Sequence, residues 1–523
     1  MARPAGRFVL LVRERLSVGL LASAGAGGAM GAAYLAPPSP LTAALLLGGM
    51  TCAAWQLQQA TGRHRWYCCV LTLLAWQVGG MGWITAVLSP ALAGLERAVA
   101  IAALFSVLWL VSLGSLLALA WLALRLLPGR VVLALPLAWW AWLVLRDLCW
   151  WGGGYGSLSL PLLALPGLAT LLPVLGTALF EALLWAALLW VTAVPVDRRG
   201  EAGSRRVVAA GLAEALGWPL PWAWTAPAGS VPIAAVPTPP AEPATAVDGW
   251  TLQARDAALA ALHRAIQQAP AGSLIVTPEI FLPEPPPPAT QGVWGDLLMA
   301  LDARQQRLLL GTALPHPEDR AALMNVALLL APQRGEVSAS VYAKQRLAPI
   351  GEELPWPGLL APIADRWLNH SRRIGRRAAP PELAEPLLVD GASLGVLLCH
   401  EVAFGDLPAA RADALLHLAS DRWSGDPRSA RQALGLARLR ALETGKWLLS
   451  VSEGEAAQLI DLNGHARPAR PQEVLPLLEG ATPFIRWRDL QPVAPFVLLA
   501  ALLPACRRRR TRAGPHIAAG ATP

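Results

Sequence analysis

The chain has 523 residues, of which 54% are hydrophobic and only 15% charged. That is too apolar for an ordinary soluble protein and points to a membrane protein. The net charge of +8 does not read as a nucleic-acid surface, because the arginine clusters flank apolar segments, where they set membrane orientation.

The basic N-terminus, ARPAGRFVLLVRER, is followed by further apolar spans and by no small-residue cleavage site leading into a soluble domain, so it reads as an uncleaved first span. A span needs about 20 mostly apolar residues. Candidates are 16–36, 41–57, 67–88, 98–124, 131–148, 170–195 and 207–226, then 490–506. With the N-terminus in the cytoplasm, the basic loops TGRHR, Arg125 to Arg130 and DRRGEAGSRR all fall on that side. The opposite loops carry only Glu96 and Arg97. The resulting organisation is a membrane domain of about seven transmembrane helices at 1–226 and a proline-rich linker at 227–249. A soluble domain follows at 250–489, then a C-terminal span at 490–506 and a basic cytoplasmic tail at 507–523. This arrangement puts the soluble domain on the outer face of a membrane and both termini in the cytoplasm.

Within the soluble stretch, strand-like runs recur: SLIVTP, RLLLGTA, NVALLLAP, SASVYAK, SLGVLLC, DALLHLAS, KWLLSVS and AAQLIDL. They are rich in Val, Leu and Ile and are bounded by Gly, Pro, Asp and Asn. Helical periodicity marks 251–269 and 427–445, the second with Pro at its start and Gly at its end. Strands alternating with helices predict an α/β layered domain.

Three strand ends carry reactive groups. Glu279 follows the first run, Lys344 and then Glu352 follow the fourth, and Cys399-His400-Glu401 closes the fifth. Taken singly, a Glu or Lys leaving a strand is usually a solvated side chain. Cys399 is the single cysteine of the soluble stretch, and the competing reading is a buried apolar thiol. Together, an acid, an amine and a thiol at successive strand ends are what covalent acyl transfer requires. The carboxylate takes the thiol proton and the ammonium stabilises the oxyanion.

The ordered set TPE, YAKQRLAPIGEELP, LLCHE, SDRWSGDP and LARLRALETGKW resembles the Glu-Lys-Cys signature of the nitrilase, or carbon–nitrogen hydrolase, superfamily. Within it the apolipoprotein N-acyltransferase family is the most similar branch. The resemblance covers the whole soluble stretch and the membrane topology. It implies an αββα nitrilase-like fold with Glu279 as general base, Lys344 as oxyanion stabiliser and Cys399 as nucleophile. Glu352 and Glu401 would be supporting acids, and Trp423 would lie near the acyl-chain entry. It further implies a phospholipid acyl donor, a lipoprotein amine as acceptor, and no metal or diffusible cofactor. No Cys/His spacing in the chain suggests zinc.

Several positions depart from that family. His400 stands where the family has Tyr, and is expected to pack or hydrogen-bond rather than to assist Cys399, since neighbours on a strand face opposite ways. VSEGEA at 451–456 replaces Thr-Asn-Thr-Gly, and an Arg cluster, SRRIGRR, lies at 371–377. These departures open two alternatives. One is a conjugal-transfer-associated relative acting on another acceptor, such as a pilus or mating-pore component. The other is a non-catalytic assembly protein.

Overall fold

The computed structural model describes residues 5–83, 95–149, 154–193, 199–218, 223–237, 252–282, 292–319, 322–349, 352–353, 380–405, 411–420, 426–453 and 455–512. Helices α1 (Ala5–Ala32), α2 (Pro40–Gln59), α3 (Gly62–Met81), α4 (Leu95–Leu126), α5 (Val131–Leu148), α6 (Leu168–Thr192) and α7 (Arg199–Gly217) form the N-terminal region. Among the described residues, three of these, α2, α5 and α6, are long and apolar enough to cross a membrane. Helix α7 stops at Gly217 and strand β1 (Thr225–Ala235) begins soon after, so the span expected at 207–226 is too long at its C-terminal end. Pro219 and Pro221 lie just beyond that helix in the sequence and disfavour its continuation.

Strand β1 is also a correction to the linker expected at 227–249. It sits inside a six-stranded sheet, antiparallel to β12 (Glu473–Gly480) and parallel to β2 (Leu274–Val276). Pro227 and Pro232 hid it, because proline removes a ladder donor and argues against an interior strand. The pairing accommodates Pro227 through an irregular register between Pro227 and Gly229.

The first sheet continues through β3 (Arg307–Pro315), β4 (Leu323–Gln333) and β5 (Glu336–Ala343) in the order β12-β1-β2-β3-β4-β5. The second contains β6 (Leu387–Val389), β7 (Ala392–Leu398), β8 (Ala414–Ser420), β9 (Leu448–Glu453), β10 (Gln458–Ile460) and β11 (Ala466–Pro468), in the order β11-β10-β9-β8-β7-β6. Alternation along the strands separates two cores. Val276, Leu309, Leu416, Leu418 and Leu449 fill the space between the sheets. Ile275, Leu308 and Leu310 turn outward onto α8 (Leu252–Gln268) and α9 (Val293–Ala303). The result is the αββα sandwich that the sequence implied.

The fourth layer is α10 (Pro427–Thr444). Asp426 caps it by accepting from the Arg428 N–H, and Gly445 closes it with φ at 65°. Its apolar face, Leu436, Leu439 and Leu442, shares one core with Leu172, Leu184 and Leu188 of α6. The layer that covers the second sheet is therefore also the layer that docks on the apolar helices.

That docking is polar as well. Gly176 interrupts α6 with φ at 66° and ψ at 165°. A side chain there would collide with the Phe484 ring, so glycine permits both the kink and the contact. The kink leaves the Thr177 N–H without its usual helical partner. Glu443 of α10 accepts from that N–H at 2.7 Å and from the Thr177 hydroxyl at 2.5 Å. Arg440 pairs with the same carboxylate at 2.9 Å, and both side chains are buried. Glu443→Ala is expected to destabilise the protein by about 3–5 kcal/mol, the range for breaking a buried ion pair from one side. Thermal unfolding in detergent measures it, and an unchanged midpoint would mean that this contact contributes nothing to docking.

Candidate active site

Glu279 lies two residues beyond the Thr277 amide, which still donates to Leu309 and extends the β2 ladder. The chain at Pro278 passes so close to Gly311 that any Cβ there would strike the Pro278 carbonyl. Lys344 directly follows β5, its N–H donating to the Asn325 carbonyl of β4 at 2.8 Å. Both side chains therefore leave rigid strand ends of the first sheet, which is how α/β folds place reactive groups.

The Lys344 ammonium sits between two carboxylates, 2.9 Å from Glu279 and 2.8 Å from Glu352. All three side chains are buried, with Lys344 only 1% exposed. Asn325 ties the acids together by donating to Glu279 at 2.6 Å and to Glu352 at 3.1 Å. The Ala348 N–H donates to the other Glu352 oxygen at 2.8 Å. Burial acts to lower the Lys344 pKa, but Glu279, Glu352 and the charge of a Cys399 thiolate more than reverse it. Lys344 therefore stays an ammonium, close enough to Cys399 to feel its charge.

Cys399 follows β7 on the facing sheet and is partly exposed. Its φ of 48° lies in the left-handed region, which a non-glycine residue occupies only when its surroundings hold it there. A short 3₁₀ turn, Cys399–Ala403, continues the chain. Glu401 holds that turn. Its carboxylate accepts from Leu398 N at 2.8 Å, Gln345 N at 2.7 Å, Arg346 N at 3.2 Å and the Tyr342 hydroxyl at 3.0 Å. Burial raises the Glu401 carboxyl to about 7, against the pull of the three backbone donors and of Lys344. Glu401 thus bridges the segment after Lys344 to the turn that carries Cys399.

His400 faces away from this cluster. Its ring stacks on Tyr155 at 5.8 Å and 6° and meets Phe404 edge-on at 5.2 Å. Tyr155 belongs to the loop at 154–160, which is fixed from both sides. The Gly154 N–H donates to the Ala403 carbonyl at 3.0 Å. Below, Glu181 of α6 accepts from Ser157 Oγ at 2.5 Å, Ser159 N at 3.1 Å and Trp139 Nε1 at 3.1 Å. His400→Tyr preserves a flat ring against Tyr155 and is expected to retain activity within about threefold, whereas His400→Ala loses up to roughly tenfold, the worth of an aromatic pair. Initial rates of the two variants check this, and equal losses would remove the stack as the reason.

Trp423 and the Arg cluster at 371–377 lie outside the described residues. Sequence reasoning passed over Asn325, Tyr342 and His417. Each is a polar residue inside an apolar strand run and is at most 1% exposed, and that juxtaposition was the available signal.

Two sheets facing each other, with an acid–lysine–acid cluster at the end of one and a thiol on a strained turn at the end of the other, define a class. Residues 233–472 match the carbon-nitrogen hydrolase family. The named relatives are more particular. The chain is 29% identical over 421 residues to an apolipoprotein N-acyltransferase of Chromobacterium violaceum, covering 75% of this chain and 76% of that protein. It is 32% identical over 192 residues to an apolipoprotein N-acyltransferase of Azotobacter vinelandii. That match covers 35% of this chain and spans only 36% of the relative. A solved carbon-nitrogen hydrolase from Helicobacter pylori covers 51% of this chain and 94% of its own, at 15% identity and a TM-score of 0.31.

Proposed function

We propose that this chain is a membrane N-acyltransferase that moves a fatty acyl group from a phospholipid, through a thioester on Cys399, to the N-terminal amine of a lipoprotein. The observation that carries the reading is the buried Glu279–Lys344–Glu352 cluster, with Glu401 tying the segment after Lys344 to the turn that carries Cys399. The names of the relatives support the acceptor class, and the apolar helices suit substrates that live in a bilayer.

The chemistry runs in two halves. Glu279 takes the proton from the Cys399 thiol, and the thiolate attacks the ester carbonyl of the phospholipid. Lys344 donates to the oxyanion that forms. Collapse breaks the ester C–O bond, and the protonated Glu279 returns its proton to the departing lysophospholipid oxygen. The acceptor amine then attacks the thioester while Glu279 takes a proton from the nitrogen. The C–S bond breaks, and the thiol is restored with that proton. Glu352 holds Lys344 from the far side, and Glu401 holds the nucleophile turn. Trp423 is assigned to the acyl-chain entry by resemblance.

The arginine-rich loops support an inner-membrane protein with the catalytic domain in the periplasm and both termini in the cytoplasm. The test is complementation of a strain depleted of its own apolipoprotein N-acyltransferase. Rescue by the wild-type chain and not by Cys399→Ala is expected. Failure to rescue, with good expression and an acylated Cys399, would move the acceptor to another amine and favour the conjugal-transfer reading.

A further inference from the structure

His417 of β8 lies beneath the nucleophile and has no part in the acid–lysine–acid cluster. It is 1% exposed, and its Nε2 is 3.3 Å from the carbonyl oxygen of Cys399. Its Nδ1 is 2.9 Å from the hydroxyl of Ser450, the residue paired with it across β9. A carbonyl accepts only, so Nε2 carries a proton and donates. Burial, with the nearby Lys344 charge adding to it and the hydrogen bond to Cys399 opposing, lowers the imidazole to about 4. At neutral pH the ring is therefore neutral, Nδ1 is an acceptor, and the Ser450 hydroxyl donates to it. One tautomer satisfies every contact.

We propose that His417 is a positioning residue for the nucleophile, its Nε2–H fixing the Cys399–His400 peptide plane so that Cys399 keeps its left-handed conformation. Two features of the turn support this. Cys399 is one of five non-glycine residues with positive φ among the described residues, and such a residue needs outside contacts to hold it. The peptide is trans and planar, so anchoring the carbonyl also fixes the His400 N–H in the opposite direction. The hydrogen bond thus sets the direction of the amide that follows the thiol and adds to the hold of Glu401 on the turn that carries Cys399. Ser450 acts one step back, by holding the tautomer.

This inference rests on Cys399 being acylated, and the experiment separates the two claims. The full-length protein in detergent is mixed with phosphatidylethanolamine vesicles, and the rate of Cys399 acylation is followed by mass spectrometry. Three variants are compared with wild type: His417→Phe, His417→Gln and Ser450→Ala. Loss of the donor in His417→Phe is expected to slow acylation roughly 30- to 100-fold, less than the 10²- to 10³-fold for losing a donor to the oxyanion itself, with the lipid concentration for half-maximal rate unchanged. His417→Gln places an amide N–H near the position of Nε2 and recovers the rate to within about fivefold, which a residue needed only for packing would not do. Ser450→Ala gives a smaller slowing, about three- to tenfold. Wild-type rates in His417→Phe, or a His417→Gln variant as slow as His417→Phe, would overturn the proposal while leaving Cys399 as nucleophile. If His417→Phe does not fold, Ser450→Ala decides: a slower rate supports the proposal and a wild-type rate overturns it. No acylation of Cys399 in the wild type would instead reject the reading on which the proposal stands.

Discussion

Cys399→Ala is expected to lower acyl transfer by about 10⁴-fold or more, the scale on which removal of a covalent nucleophile acts. The fold should survive the change. Alanine faces the same left-handed φ of 48° as cysteine, and the turn is held mainly by Glu401 through backbone donors that the substitution leaves in place. Cys399→Ser puts a hydroxyl in place of the thiol, and it does not ionise readily, so it should sit close to the alanine variant. Initial rates of acyl transfer to a lipopeptide acceptor measure both. A Cys399→Ala variant with more than a tenth of wild-type activity would rule out the thioester route.

Lys344→Met should act on stability and activity together. The side chain has nearly the same length, but its loss leaves Glu279 and Glu352 buried and facing each other without the cation that separates them. One carboxyl must then take up a proton. Breaking such a cluster from one side costs about 3–5 kcal/mol, and loss of the oxyanion donor costs about 10²- to 10³-fold in rate. The double variant Lys344→Met/Glu352→Gln distinguishes the two effects. Removing one of the opposed charges should restore part of the thermal midpoint and none of the activity. If the double variant regained activity, Lys344 would be a structural counter-ion and not a participant in the reaction.

Much of this was legible from the chain. The strands that precede Glu279 and Cys399 are dominated by Leu, Ile and Val, and the strand before Lys344, EVSASVYA, turns apolar and buried only at its end, yet the expected strand ends and the observed ones coincide closely. Helix α10 announced itself through Pro427 and Gly445. Other features were not legible, for physical reasons. Strand β1 carries two prolines and few bulky residues, and its place in the sheet comes from pairing with β12, more than 200 residues away. The role of α10 as the layer touching the apolar helices was hidden too. Its buried face contains Gln432 and Glu443, whose partners, Gly80 and Gly156 for the first and Thr177 for the second, come from distant sequence. His400 drew attention by sitting next to the thiol, yet its partner is Tyr155, in a loop of the helical region. His417, which no motif marks, is the histidine whose ring meets the backbone of Cys399.

The central claim is that Cys399 carries the acyl group between donor and acceptor. The most direct measurement is the mass of the purified full-length protein after incubation with phosphatidylethanolamine vesicles and no acceptor. The account predicts an added fatty acyl mass that maps to Cys399, is released by hydroxylamine as a thioester should be, and disappears when a diacylglyceryl-cysteine peptide is supplied. Turnover of the lipid with an unmodified Cys399, or an acyl group found on another residue, would contradict it.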